Sequence, residues 1–191
     1  MPSIDELVAD LISRDESAAE AAVSGLAEGG ASAAQAMLHL LGSADAEHRW
    51  WAVRALAAMP APPTDWFVRA LGDAEAEVRA AAALALAAHP DEAAAASLVP
   101  ALCDEDSLVA VLAVNALVKI GGAAVPMLLE SFVEAPRRGQ IQIMRALAEL
   151  RDPRAIKLML ASLERDSAAL QYWAQEGLER QGLNMVYLKP D

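Results

Sequence analysis

Apolar residues recur along this chain on two interlocked ladders. One runs Leu26, Leu56, Leu86, Leu117, Leu147 and Leu178, at spacings of 30, 30, 31, 30 and 31 residues. The other lies fifteen residues upstream, at Leu11, Leu41, Leu71, Leu102, Phe132 and Leu163, with the same spacings. A fixed period of this size predicts stacked repeats, each packed on its neighbours. Immediately before the first ladder stand Gly25, Ala55, Ala85, Ala116, Ala146 and Gly177. Four places before it stand Ala22, Ala52, Ala82, Ala113, Ile143 and Ala174. Positions −4, −1 and 0 form one helical stripe, and small residues there let helices approach closely.

Two helices per repeat follow, here named A and B. The expected pairs are Ile4–Ser13 with Ser17–Glu28, Ala33–Leu41 with Glu47–Met59, and Asp65–Leu71 with Glu75–Ala88. Further on come Asp91–Cys103 with Ser107–Ile120, Ala123–Val133 with Arg137–Leu150, and Arg154–Glu164 with Ala168–Gln181. The B helix starting after Asp106 is nearly unbroken in its apolar body and stops at Gly121-Gly122, so it needs cover on most sides. The A-to-B turn checks the register. Eleven places before each leucine stand Asp15, Asp45, Glu75, Asp106, Pro136 and Ser167. Asp15, Asp45, Asp106 and Ser167 suit helix N-caps, and Pro136 suits a first helical position. Thr64 or Asp65 is expected to cap the helix after Pro60-Ala61-Pro62-Pro63, and Asp152 the one opened by Pro153. The expected organisation is a single solenoid domain over residues 1–182, cut at about 1–30, 31–60, 61–90, 91–121, 122–151 and 152–182, with a tail over 183–191.

Composition adds three constraints. The chain is 55% hydrophobic but only 4% aromatic and rich in alanine, the best helix former. Its net charge of −12 disfavours phosphate backbones and anionic membranes, so neither nucleic acid nor membrane is expected as a partner. No uninterrupted apolar run reaches the roughly 18 residues of a membrane span. The opening MPSIDELVAD lacks the basic and apolar regions of a secretory signal. The lone Cys103 excludes an internal disulfide framework, and a cytoplasmic location is expected.

The run Leu71-Gly72-Asp73-Ala74-Glu75-Ala76-Glu77-Val78-Arg79-Ala80-Ala81-Ala82 resembles the short HEAT-like repeats of the phycobilisome-lyase type. Gly122-Ala123-Ala124-Val125-Pro126-Met127-Leu128-Leu129 is similar to that family's A helix. Standard HEAT units are longer, about 40–47 residues, and the tetratricopeptide and ankyrin signatures are missing. The resemblance implies an all-α fold: a right-handed α-α superhelix of six two-helix repeats, a HEAT-like solenoid with A helices outside and B helices inside. Most proteins of this kind bind other proteins. Some assist bilin attachment, some are di-iron hydroxylases, and related helical repeats include DNA glycosylases.

The chemistry of the last two groups finds little support. None of His39, His48 and His89 is followed by Glu or has paired-histidine spacing, so no metal and no cofactor is expected. A basic groove with a catalytic carboxylate does not fit the acidic balance. Glu47, Glu77 and Asp106 read as helix-start carboxylates, and Cys103 as a buried thiol. No catalytic residue is assigned.

The inner face is the remaining candidate. Stepping 100° per residue from the ladder leucine turns positions −6 and −2 toward the inner surface, with −5 at its edge. These columns hold Trp50, Val111, Ile141 and Tyr172; Arg54, Leu84, Asn115 and Arg145; and Trp51 and Trp173. Tryptophan, tyrosine and arginine beside apolar residues are the usual anchors of a binding surface. The first expectation is therefore a non-enzymatic scaffold that takes a protein or peptide on this face. The alternatives are a lyase-type accessory that handles a chromophore with a partner subunit, and a homo-oligomer formed through the same patch.

Overall fold

The computed structural model describes residues 2–183, and the tail expected over 183–191 lies, after Leu183, outside them. The described residues form twelve α-helices, with no strand among them. The chain divides into two compact units, Met1–His89 and Pro90–Asp191. Each holds three of the expected two-helix repeats.

In the first unit the helices are α1 (Ile4–Leu11), α2 (Glu16–Glu28), α3 (Gly30–Leu40), α4 (Ala46–Ala57), α5 (Thr64–Ala70) and α6 (Ala76–Ala88). Their starts follow side-chain chemistry. Ser3 and Glu6 form a capping box on α1, the Ser3 amide donating to the Glu6 carboxylate at 2.7 Å. Asp15 accepts from the amides of Ser17 and Ala18, and Asp45 from that of Glu47. Two caps differ from expectation. Pro63, in extended conformation, precedes α5, so Thr64 is already helical. Glu75 occupies the N-cap of α6 without using its side chain. Its amide instead donates to the Asp73 carboxylate at 2.9 Å.

Asp73 also ties two repeats together. Its carboxylate accepts from Arg49 Nε and Nη2, both at 2.7 Å, while Arg49 Nη1 donates to the carbonyls of Ser43 and Ala44. A forked guanidinium on a carboxylate fixes geometry as well as charge. His89 closes the other end of the unit. Its Nε2 is 2.8 Å from the Ala57 carbonyl, and its ring stacks on Phe67.

In the second unit the helices are α7 (Ala95–Ala101), α8 (Ser107–Ile120), α9 (Val125–Ser131), α10 (Arg137–Leu150), α11 (Ile156–Ser162) and α12 (Ala168–Arg180). Asp106 accepts from the amides of Leu108 and Val109, as expected of the α8 cap. Pro136 stands one place before α10 rather than in its first turn. The A helices are not continuous as read from the sequence. Each opens with a 3-10 turn, at Glu92–Ala94, Gly121–Ala124 and Pro153–Ala155. Such turns are a common way to tighten a helix start, and at the last of them Asp152 caps the Arg154 amide ahead of Pro153.

The run 107–131 also differs from expectation, because as one helical stretch it is long and apolar enough to cross a membrane. Gly121 divides it. With φ at 85°, a conformation that suits glycine, it ends α8 after 14 residues and turns the chain toward the 7-residue α9. Fourteen residues span about 21 Å, short of the roughly 30 Å of a bilayer core.

Packing follows the two ladders. Leu26, Leu56, Leu86, Leu117, Leu147 and Leu178 are all fully buried. Leu11, Leu71, Leu102 and Phe132 are buried with them, whereas Leu41 and Leu163 are half-buried. The −4 column is buried in every repeat. Small residues are needed where elements touch. A Cβ at Gly139, in the first turn of α10, would collide with Cys103 Sγ.

Two tests follow from this packing. Gly139→Ala should destabilise the protein by about 1–3 kcal/mol through overpacking, although alanine is the better helix former by up to about 1 kcal/mol. In a Cys103→Ala background the same change should be neutral or stabilising, as read from urea midpoints. The second test concerns acid. The hydrogen bond from Arg49 holds the Asp73 carboxyl below its ordinary range. Because the folded value is the lower one, the pair's contribution is complete above about pH 4 and is lost as pH falls through the folded value. Asp73→Asn should cost about 1.5–3 kcal/mol at pH 7 and flatten the acid limb of a Tm profile. An unchanged limb would show that the pair does not carry the acid sensitivity.

Candidate functional site

Each unit presents its own part of the expected inner face, carried on α4 and α6 in the first and on α8, α10 and α12 in the second. In the first unit Trp50 and Trp51 meet edge to face at 4.9 Å. The Arg54 guanidinium lies over both rings, 4.9 Å from one centroid and 5.2 Å from the other. Arg54 also pairs with Glu20 at 2.7 Å. Trp51 is only 5% exposed, which removes it from the presented surface. Neighbours on a helix differ by 100°, and here the −5 ring turns inward under Arg54 while Trp50 stays half-buried. Leu84, on α6, is 58% exposed, as its column requires.

In the second unit Tyr172 is 58% exposed and Trp173 half-buried, again edge to face at 5.1 Å. Arg145, on α10, lies 5.4 Å from the Trp173 ring centroid and pairs with Glu149 at 3.0 Å. On α12, Glu176 pairs with Arg180 at 2.8 Å. Val111, Asn115 and Ile141 are half-buried rather than open. The −6 column therefore sits partly in the crevices between helices. Repetition of the motif is the notable point: an aromatic pair, edge to face, with an arginine stacked on it, occurs once in each unit.

Column reasoning missed a recess beside Trp50. It measures about 370 Å³ and is lined by Ala46, Glu47, Trp50, Glu75, Glu77 and Val78. Its signal was present in the −9 column, where Glu47 and Glu77 recur one repeat apart. Both also stand in the first turns of their helices, which alone accounts for a carboxylate there. Cys103 is half-buried, and loss of solvent raises its thiol pKa, partly offset by Arg138. It is therefore a thiol rather than a thiolate at neutral pH. His48 is half-buried, its Nδ1 3.3 Å from Ser43 Oγ. Among the described residues no three His, Cys, Asp or Glu side chains gather as a metal site.

Residues 64–141 match the HEAT repeats family, and residues 140–165 match the PBS lyase HEAT-like repeat. The chain is a HEAT-repeat protein. A curated relative, the bilin biosynthesis protein RpcF of Synechococcus sp. (strain WH8020), is 35% identical over 91 residues, which are 47% of this chain and 43% of that protein. The HEAT-repeat chain thus spans less than half the length of this relative. Among solved structures, the HEAT-like repeats protein of Thermococcus onnurineus NA1 superposes with a TM-score of 0.65 at 18% identity, over 95% of this chain and 81% of that one. The complex of CpcE and CpcF of phycocyanin lyase from Nostoc sp. PCC7120 gives 0.55 at 23% identity, over 95% and 78%. At these identities the two structures speak for the fold.

These findings correct one expectation. The sequence alone argues for no enzyme, because no residue constellation in it announces catalysis. Its sequence relative is named for bilin biosynthesis, and residues 140–165 match the PBS lyase HEAT-like repeat, which overturns that exclusion.

The helical phase can be tested without a ligand. Leu117→Ala, in the fully buried column, should cost about 2–5 kcal/mol. Val111→Ser, half-buried, should cost on the order of 1 kcal/mol. Equal losses in thermal or urea unfolding would show that position −6 belongs to the core.

Proposed function

We propose that this HEAT-repeat chain is a subunit of a bilin lyase-type enzyme, acting with a partner subunit to attach a chromophore to an acceptor protein. The observation that carries this reading is the 35% identity to a bilin biosynthesis protein. The match of residues 140–165 to the PBS lyase HEAT-like repeat supports it. The likeness in fold to the CpcE and CpcF complex supports a second subunit as the immediate partner. A non-enzymatic scaffold came first on sequence grounds; the relative reverses that order, and protein binding becomes a step within the reaction. Residues Trp50, Arg54 and Leu84 in one unit, and Val111, Asn115, Ile141, Arg145, Tyr172 and Trp173 in the other, are the surfaces on which subunit and acceptor would be held. Each offers an aromatic anchor flanked by a cation, a combination that concentrates binding energy.

The test is reconstitution. The chain is produced with a second lyase-type subunit, a bilin and an apo-phycobiliprotein, and the covalent adduct is followed by its colour on denaturing gels. Adduct should form at least tenfold faster with both subunits than with either alone. Tyr172→Ala should slow it without changing the far-ultraviolet circular dichroism. Adduct formation at the same rate with and without this chain would overturn the proposal.

A further inference from the structure

The recess beside Trp50 is apolar inside and acidic at its rim. Trp50 and Ala46 supply its accessible apolar surface above the buried Val78, and the exposed Glu47, Glu75 and Glu77 complete its lining. Among the described residues these three carboxylates form no ion pair and no side-chain hydrogen bond. The nearby cations are bonded to other partners, although Arg49 is close enough to Glu75 for their charges to attract. Arg49 is forked onto Asp73, Arg54 is paired with Glu20, and Arg79 Nη1 donates to the carbonyls of Asp73 and Ala74. The starts of α4 and α6 meet here, and each helix terminus adds about half a positive charge. Three carboxylates outweigh that sum, so the rim remains negative. The Arg49–Asp73 fork joins the same two repeats.

A basic side chain fits these features as no other does. Lysine and arginine carry an apolar stem and a charged head. The stem would lie along Trp50 and Ala46, and the head among the glutamates. A cation near a partly desolvated indole gains a further attraction from the ring. A second recess, of about 330 Å³, shares Glu47 and Trp50 and adds Asp15 and Glu16, with Arg14 at its margin. We propose that the Trp50 recess is a docking site for a lysine or arginine side chain on a basic segment of a protein partner. This inference shares Trp50 with the surface proposed above but does not need chromophore attachment: it requires only a partner with an exposed basic segment.

The experiment uses the whole chain and an acetylated, amidated Gly-Lys-Gly-Lys-Gly peptide, with Gly-Glu-Gly-Glu-Gly as control. Nuclear magnetic resonance follows the four tryptophan indole N–H signals. The lysine peptide should shift Trp50 while leaving Trp66 and Trp173 in place, and the glutamate peptide should shift none. Glu75→Gln with Glu77→Gln should weaken binding at least tenfold with the melting temperature retained. Trp50→Leu, which keeps apolar bulk and removes the ring, should weaken it by a similar factor. Glu130→Gln with Glu134→Gln, an acidic pair in the other unit, should leave affinity unchanged. Equal weakening by both glutamate pairs would mean general attraction to an acidic protein and would overturn the site. So would an indole shift centred on Trp173, or full affinity in the Trp50→Leu protein. Reconstituted lyase activity does not enter these readouts, so the docking site and the proposed reaction fail or succeed separately.

Discussion

The structure depends on the close approach of each B helix to its neighbours, and the leucine stripe is what that approach buries. A leucine at position 0 reaches full burial in all six repeats because the residues at −1 and −4 are almost all Gly or Ala. Their small size brings backbones near enough for leucine to fill the space between helices. Gly139 shows the same constraint at its limit, since even a methyl group there meets Cys103. No two-helix repeat can enclose such a stripe alone. Stability therefore belongs to the stack rather than to any member of it, and the polar ties are placed where they align one member with the next. The Arg49–Asp73 fork and the His89 bond to the Ala57 carbonyl both do this.

Features with a local cause were legible in the sequence. The period placed all twelve helices to within a few residues, and Asp15, Asp45 and Asp106 cap as their chemistry requires. The cap before α5 and the 3-10 openings of the later A helices were not, because proline and alanine-rich starts do not declare which turn they will take. Side-chain phase was legible in the core and blurred at its edge. Leu84 and Tyr172 are open as their columns require, yet Trp51 is enclosed, and Val111 and Ile141 sit half in crevices. An ideal 100° step says which way a residue leaves its helix. It does not say how near the adjacent helix stands.

Charge relations were the least legible. Arg49 and Asp73 are 24 residues apart, and Arg145 finds its partner, Glu149, one turn along its own helix. The Trp50 recess is assembled from the starts of two helices in different repeats, so no single stretch of sequence displays it. The reversal over catalysis has a related origin. Acid, base, nucleophile and metal motifs mark enzymes whose reacting groups lie together in one chain. An enzyme of the kind proposed, holding another protein beside a reactive small molecule, would need no such motif.

Gly121 has a consequence for how the chain is made. The stretch 107–131 is as apolar as a membrane span, and that residue divides it into two shorter helices. In the second unit α8 packs against α7, synthesised before it, and α10, which follows by some thirty residues. At roughly 5–20 residues per second, the ribosome leaves one flank of α8 bare for a few seconds. Over that interval the segment has the length and hydropathy of a membrane span, and the break at Gly121 is what leaves neither α8 nor α9 long enough to be one.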